Sequence, residues 1–275
     1  MRGEDPWVHV RRLTPARVAL GRTGSALPTA EVLRFALAHA QARDAVHIPL
    51  DLGPLEADIR AAGLDTLRVE SAAVDRATYL ARPDLGRQLA ASSRALLGDR
   101  GAVGSDLVVV VADGLSSPAA AVHAAPLLRA LSPRLARSGL TLGPIVLATQ
   151  ARVALGDEIG AILDGRAVLI LLGERPGLSS PDSLGAYLTF APRSGRTDAE
   201  RNCISNIRPA GLSYEVAAFK LAWLVGEALK RKITGVALKD ASDARQLEMA
   251  EPFRATLGHA HLETDHPGNG LPPPV

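Results

Sequence analysis

Three runs in this chain are too continuously apolar to leave either side in water: DLVVVVA at 106–112, LGPIVLA at 142–148 and AVLILL at 167–172. A strand with one wet face alternates polar and apolar residues, whereas a strand apolar at both parities is covered on both faces, as in a parallel sheet layered between helices. The spacers fit that layering. Pro118 suits the first turn of a helix over 118–131, because a residue there has no intrahelical use for its N–H, and 156–163 reads as a shorter helix before the Asp164-Gly165 turn. Strand, helix, strand, helix, strand is a βαβαβ pattern. Its crossovers place helices on both faces and align the loops that leave the strands along one edge, where open α/β sheets bind ligands. The loops to inspect are therefore 113–117, 149–153 and 173–178. The expected class is α/β: a Rossmann-like, mostly parallel sheet with helices on both faces, preceded by a smaller, mainly helical region.

That N-terminal region reads differently. Residues 1–16 show no sustained period and are expected to be a flexible arm. From 17 to 100 the chain is punctuated by Gly21, Gly24 and Pro28. A helix is expected from Thr29 with Leu33, Leu37 and Ala40 on one face, then a short helix at 55–62, a strand at 66–70 and a helix at 84–97 closed by Gly98. Three glycines in GDRGAVGS, 98–105, mark the boundary with the sheet-forming domain at 101–240. After the run LGAYLTF at 184–190, a last helix is capped by Ser213, carries Val216, Phe219 and Trp223 on one face, and ends in Lys230, Arg231 and Lys232, where the helix dipole favours cations. Residues 241–275 lose the pattern and are read as a tail. The pentapeptide RVALG occurs at 17–21 and 152–156, with no longer period to make it a structural repeat.

Composition excludes several classes of function. Lys and Arg total 31 against 29 Asp and Glu, a net charge of +2 with no block of one sign, so the footprint of a nucleic-acid or membrane-surface binder is missing. A single cysteine allows no internal disulfide or cysteine-built zinc site and fits a reducing compartment. The polar start and the lack of an apolar run of roughly 18 residues point to a cytoplasmic protein.

Candidate chemistry is sparse. Asp113, Ser116 and His123 have the residue types of a nucleophilic triad, but no G-x-S-x-G elbow surrounds Ser116. No G-x-G-x-x-G follows the first long strand. His259, His261 and His266 fall in the tail, without the rigid support that metal ligands need. Glu174 is the better candidate, held between Gly173 and Pro176 at a strand end and suited to accept hydrogen bonds from amides of a ligand. Cys203 lies in a polar segment and reads equally as packing or as site lining.

GERPGLSSPDSLGAYLTFAPR (173–193), RNCISNIRP (201–209), DLVVVVADGLS (106–116), RVALGDEIG (152–160) and GRTGSALPT (21–29) together resemble the small subunit of ethanolamine ammonia-lyase, in the same order over about 17–240. The resemblance implies an adenosylcobalamin-dependent enzyme that converts ethanolamine to acetaldehyde and ammonia by a radical mechanism. It also implies a large (β/α)8-barrel subunit that holds the substrate, with this chain clasping the corrinoid at the interface. Carried over residue by residue, the cobalamin contacts are Val153, Glu174 and Cys203, with no catalytic residue and no metal ligand in this chain. The implied location is cytoplasmic, with a bacterial microcompartment as the more specialised setting. The competing reading is a stand-alone Rossmann-like ligand-binding or scaffolding module.

Overall fold

The three apolar runs form the middle of one six-stranded sheet, seen in a computed structural model that describes residues 7–14 and 16–243. Its strands are β1 (Thr66–Glu70), β2 (Leu107–Ala112), β3 (Leu142–Thr149), β4 (Ala167–Gly173), β5 (Leu184–Phe190) and β6 (Asn202–Ile207), in the spatial order β1-β3-β2-β4-β5-β6. The first four are mutually parallel, while β5 runs antiparallel to β4 and β6 antiparallel to β5. The sheet is thus mixed, with a parallel half and an antiparallel half. Strand β1 pairs with β3 and brings 66–70 into the same sheet as the later strands.

Helices α1 (Val8–Arg11), α2 (Thr29–His47), α3 (Leu52–Ala61), α4 (Arg76–Ala81), α5 (Ala91–Arg100), α6 (Ser117–Arg137), α7 (Leu155–Ile162) and α8 (Tyr214–Arg231) complete the described elements, with single 3-10 turns between some of them. The valines of β2 divide by parity. Val109 and Val111 join Leu127 and Leu131 of α6, Leu221 and Val225 of α8 and Ile59 of α3 in one core. Val108 and Val110 join Leu97 of α5 and Leu155 and Ile159 of α7 in the other. Each buried aliphatic side chain contributes about 1.5–3 kcal/mol relative to exposure, which is why both parities had to be apolar.

Helices cover both faces of the parallel half only. The helices packed on β5 and β6 are α6 and α8, both on the face of the first core. The other face of this antiparallel half carries Gly185, Tyr187, Thr189 and Cys203: Thr189 is buried where Arg201 links it to Asp157 of α7, whereas Cys203 on the edge strand is exposed.

Other differences from the expected elements have local causes. The helix expected over 84–97 is broken: a 3-10 turn at Leu85–Arg87 precedes α5, because Gly86 must pack against the side chains of Tyr79 and Arg152. Helix α4 and strand β6 are additions. Helix α2 forms as expected, but Leu33 and Leu37 are exposed and only Ala45 is buried; apolar residues lie around the helix, at Val32, Leu33, Phe35 and Leu37, rather than on one stripe. The two copies of RVALG differ in structure, the first irregular and the second leading into α7. By contacts the chain divides into Met1–Lys239 and Asp240–Val275. The tail histidines His259, His261 and His266 lie outside the described residues, as do 1–6 of the expected arm. No described helix is long and apolar enough to cross a membrane.

Candidate functional site

The loops leaving β2, β3 and β4 meet at one end of the sheet, and Asp113 ties the first two together. Its buried carboxylate accepts hydrogen bonds from the Gln150 N–H (2.9 Å) and the Ala151 N–H (3.0 Å) and pairs with Arg76 at 3.1 Å. Burial pushes this carboxyl upward from its ordinary value, against the pull of those N–H groups and of Arg76. Gln150 takes a left-handed conformation, φ +55°, to aim its amide at Asp113. The next residues are held from the other side: the Tyr79 hydroxyl donates to the Ala151 carbonyl (3.1 Å), and the Arg152 N–H donates to the Gly86 carbonyl (2.8 Å). Val153 is fixed at the end of this loop, half-buried and packed on the second core.

Glu174 is positioned by the sheet itself. Its N–H donates to the Ser183 carbonyl at 3.0 Å, extending the β4–β5 ladder by one bond, and one carboxylate oxygen accepts from the Asn206 N–H at 3.1 Å. The other oxygen lies over Gly185, where a Cβ would stand 3.1 Å from Glu174 Oε1, from Glu174 Cγ and from the Tyr187 ring. Glycine at 185 therefore clears the space in which this carboxylate rests.

Tyr187 and Cys203 face each other across β5 and β6. Burial, then the adjacent thiol, push the Tyr187 phenol upward. Cys203 is exposed as a residue, yet crowding around its sulfur desolvates the thiol and raises it too, so the group is a neutral thiol near pH 7. This is not an activated nucleophile.

An open cleft of about 1190 Å³ runs from the loop ends onto the partly covered sheet face, lined by Arg152, Val153, Glu174, Tyr187 and Arg201 among others. Val153 and Glu174 share it. Cys203 is not in its lining and stands beside it, against Tyr187. The wall opposite Glu174 is anchored by a buried ion pair: Arg201 donates to both oxygens of Asp157 on α7, each at 2.6 Å, and to the Thr189 hydroxyl at 3.0 Å.

The loop over 191–201 closes the far end of the cleft and depends on Glu200. Its carboxylate accepts from the Thr197 N–H (2.8 Å) and pairs with Arg196, which itself donates to the Phe190 and Ala191 carbonyls. The Thr197 N–H, then Arg196, hold the Glu200 carboxyl at about 2, below its ordinary 4.5. A depressed folded-state value means that the stabilisation is complete above pH 4.5 and is lost as pH falls from there toward 2. Protection factors of the 194–201 amides, taken relative to intrinsic exchange at each pH, are expected to drop as pH falls through that window in the parent chain and to be low, without this pH step, in Glu200→Gln. A step that survives in Glu200→Gln would assign it to another group.

The three triad residue types do not assemble. Ser116 donates to the Pro181 carbonyl at 2.8 Å, Asp113 serves the loop amides, and His123 pairs through Nδ1 with the Tyr214 hydroxyl at 2.7 Å. Among the described residues, no three His, Cys, Asp or Glu side chains converge as a metal site. Several contributors escaped the sequence reading: Arg152, Tyr187, Tyr79 and the Asp157–Arg201 pair. Only Tyr187 left a signal, since it shares parity with Gly185 and Thr189 in a strand whose other parity, Leu184, Ala186 and Leu188, is wholly apolar.

A family model described as ethanolamine ammonia-lyase light chain (EutC) matches residues 4–239 and so reaches into the N-terminal arm. Among curated proteins, the ethanolamine ammonia-lyase small subunit of Azotobacter vinelandii is 57% identical over 250 residues, covering 90% of this chain and 93% of the relative. The protein of the same name from Ralstonia nicotianae is 56% identical over 248 residues, 89% of this chain and 92% of the relative. That of Xanthomonas campestris pv. campestris is 55% identical over 242 residues, 87% and 89% respectively.

Proposed function

The chain belongs to the ethanolamine ammonia-lyase light-chain family, and from that premise we propose that it is the corrinoid-clasping small subunit of an adenosylcobalamin-dependent enzyme. With a large (β/α)8-barrel subunit that holds the substrate, it converts ethanolamine to acetaldehyde and ammonia. The chain is then one subunit of a carbon–nitrogen lyase, and it contributes no acid, base or nucleophile to the reaction.

The observation that carries this reading is the joint placement of Val153 and Glu174 in a cleft larger than the roughly 300–1,000 Å³ that small-ligand pockets occupy. A corrin ring is broad, apolar on its faces and fringed with carboxamides. Val153 offers apolar contact. Glu174 has one oxygen committed to Asn206 and the other free over Gly185 to accept from a carboxamide N–H. Cys203, neutral and soft, adds contact beside Tyr187 on the exposed part of that sheet face. When bound, adenosylcobalamin supplies the radical initiation; the residues here bind and orient it. The parallel half, with its covered faces and its ligand loops at one end, is read as Rossmann-like.

Glu174→Ala tests this. Assembly with the large subunit is expected to survive, while cobalamin affinity of the complex falls by about 1.5–3 kcal/mol, the worth of one hydrogen bond to a charged group. Equilibrium binding of the corrinoid by visible absorption reads this, and an unchanged affinity would remove Glu174 from the site. The stand-alone alternative is distinguished by co-expression: a chain that never associates with a large subunit, yet binds the corrinoid tightly, would favour it.

A further inference from the structure

The cleft holds more positive charge than its own carboxylates neutralise. Arg94 pairs with Glu158, Arg196 with Glu200, and Arg201 with Asp157. Arg87, Arg152 and Arg175 also line the cleft, and among the described residues none of them has a carboxylate partner.

Arg152 is the most constrained of the three. Its guanidinium stacks over the Tyr79 ring at 4.2 Å, and Nη2 donates to the Tyr79 carbonyl at 3.3 Å. Its Cγ lies where Gly86 leaves room, 3.0 Å from the position of a Cβ there, and its Nε is buried without a hydrogen-bond partner. Tyr79 carries a second guanidinium, Arg76 at 4.7 Å, and the two differ in one respect: Arg76 is neutralised by Asp113, whereas Arg152 is not. A stacked, half-buried cation without a carboxylate partner favours an anion beside its guanidinium.

Resting on the corrinoid reading above, we propose that Arg152, in a cleft that Arg87 and Arg175 also line, receives the phosphate of the nucleotide loop of cobalamin. The corrinoid's peripheral carboxamides are neutral and need no guanidinium. The phosphodiester is the anion on that periphery, and its oxygens match the planar fork of an arginine. Glu174 at one place and Arg152 at another then bias which way round the corrinoid lies: a carboxylate accepts from amide N–H groups but repels a phosphate, which a guanidinium attracts.

The test uses the complex with the large subunit and two corrinoids that differ only in the phosphate, adenosylcobinamide phosphate and adenosylcobinamide, with dissociation constants from visible absorption. The parent complex is expected to prefer the phosphate-bearing corrinoid by on the order of tenfold or more. Arg152→Gln should abolish that preference, and Arg152→Lys should retain part of it. Equal binding of the two corrinoids by the parent overturns the phosphate assignment while leaving the corrinoid reading intact. So does an Arg152→Gln complex that weakens both alike, which would mark a packing role. Failure of the parent complex to bind adenosylcobalamin itself, measured alongside, overturns the corrinoid reading and this inference with it, and failure to bind adenosylcobinamide phosphate while binding adenosylcobalamin overturns this inference alone.

Discussion

Arg201→Leu is expected to lower the stability of the subunit by about 3–5 kcal/mol, a large part of the roughly 5–15 kcal/mol that holds a domain folded. The guanidinium and its Asp157 partner are both almost wholly buried, at 3% and 1% side-chain exposure. Removing the cation strands a carboxylate inside the protein. Burial already pushes Asp157 upward from its ordinary value, and the two hydrogen bonds from Arg201 are the main opposition. The loss extends beyond the pair, because Arg201 also holds the Arg196 carbonyl (2.9 Å) and Thr189, so the wall of the cleft goes with it. Replacing both partners, Asp157→Leu with Arg201→Leu, should recover much of the loss, since no lone charge is then left buried. Denaturant unfolding of the two single variants and the double reads the cycle. A cost for Arg201→Leu below about 1 kcal/mol would be the value of an exposed pair and would contradict the burial.

Gly173→Ala is the second large effect. A Cβ there would stand 2.5 Å from the Asp113 carbonyl oxygen and closer still to that of Ser116. Both obstacles are backbone, so no side chain can swing away. The Leu115 N–H also donates to the Gly173 carbonyl at 2.9 Å, and Gly114, at φ +55°, leaves room for that carbonyl. One methyl group must therefore push apart the loops after β2 and β4. A loss of about 3 kcal/mol or more is expected, at the upper end of overpacking costs, and, on the proposed corrinoid reading, weaker corrinoid binding through displacement of Glu174. Soluble yield and melting temperature check the first part. A variant that melts with the parent would show that the loops tolerate separation.

The parallel half of the sheet was legible because its three inner strands, β2, β3 and β4, carry apolar residues at both parities, while the edge strand β1, TLRVE, alternates; the loops flagged at its end do meet there. Val153 and Glu174 could be placed near each other for the same reason. Cys203 could not, since its strand reads as polar: in NCISNI only Ile204 and Ile207 are buried, three residues apart across a register shift, while Cys203 and Ser205 are exposed. Without β6 in view, the partly covered face was invisible, and helices were expected on both sides throughout. The Asp157–Arg201 pair joins residues 44 positions apart, and neither neighbourhood hints at the other. The helix expected over 84–97 failed because Gly86 answers to Tyr79 and Arg152, a demand that local propensity does not contain.

The uneven covering of the sheet couples two quantities usually measured apart. Over β2 and β4 the protein finishes its own three layers; over β5 and β6 the second face is covered only in part, with Tyr187 half-buried and Cys203 exposed. Whatever seats on that strip stands in for the missing part of the layer, so its occupancy adds directly to the free energy that keeps the antiparallel half folded. On the proposed corrinoid reading, ligand affinity and the stability of the antiparallel half are then one linked quantity.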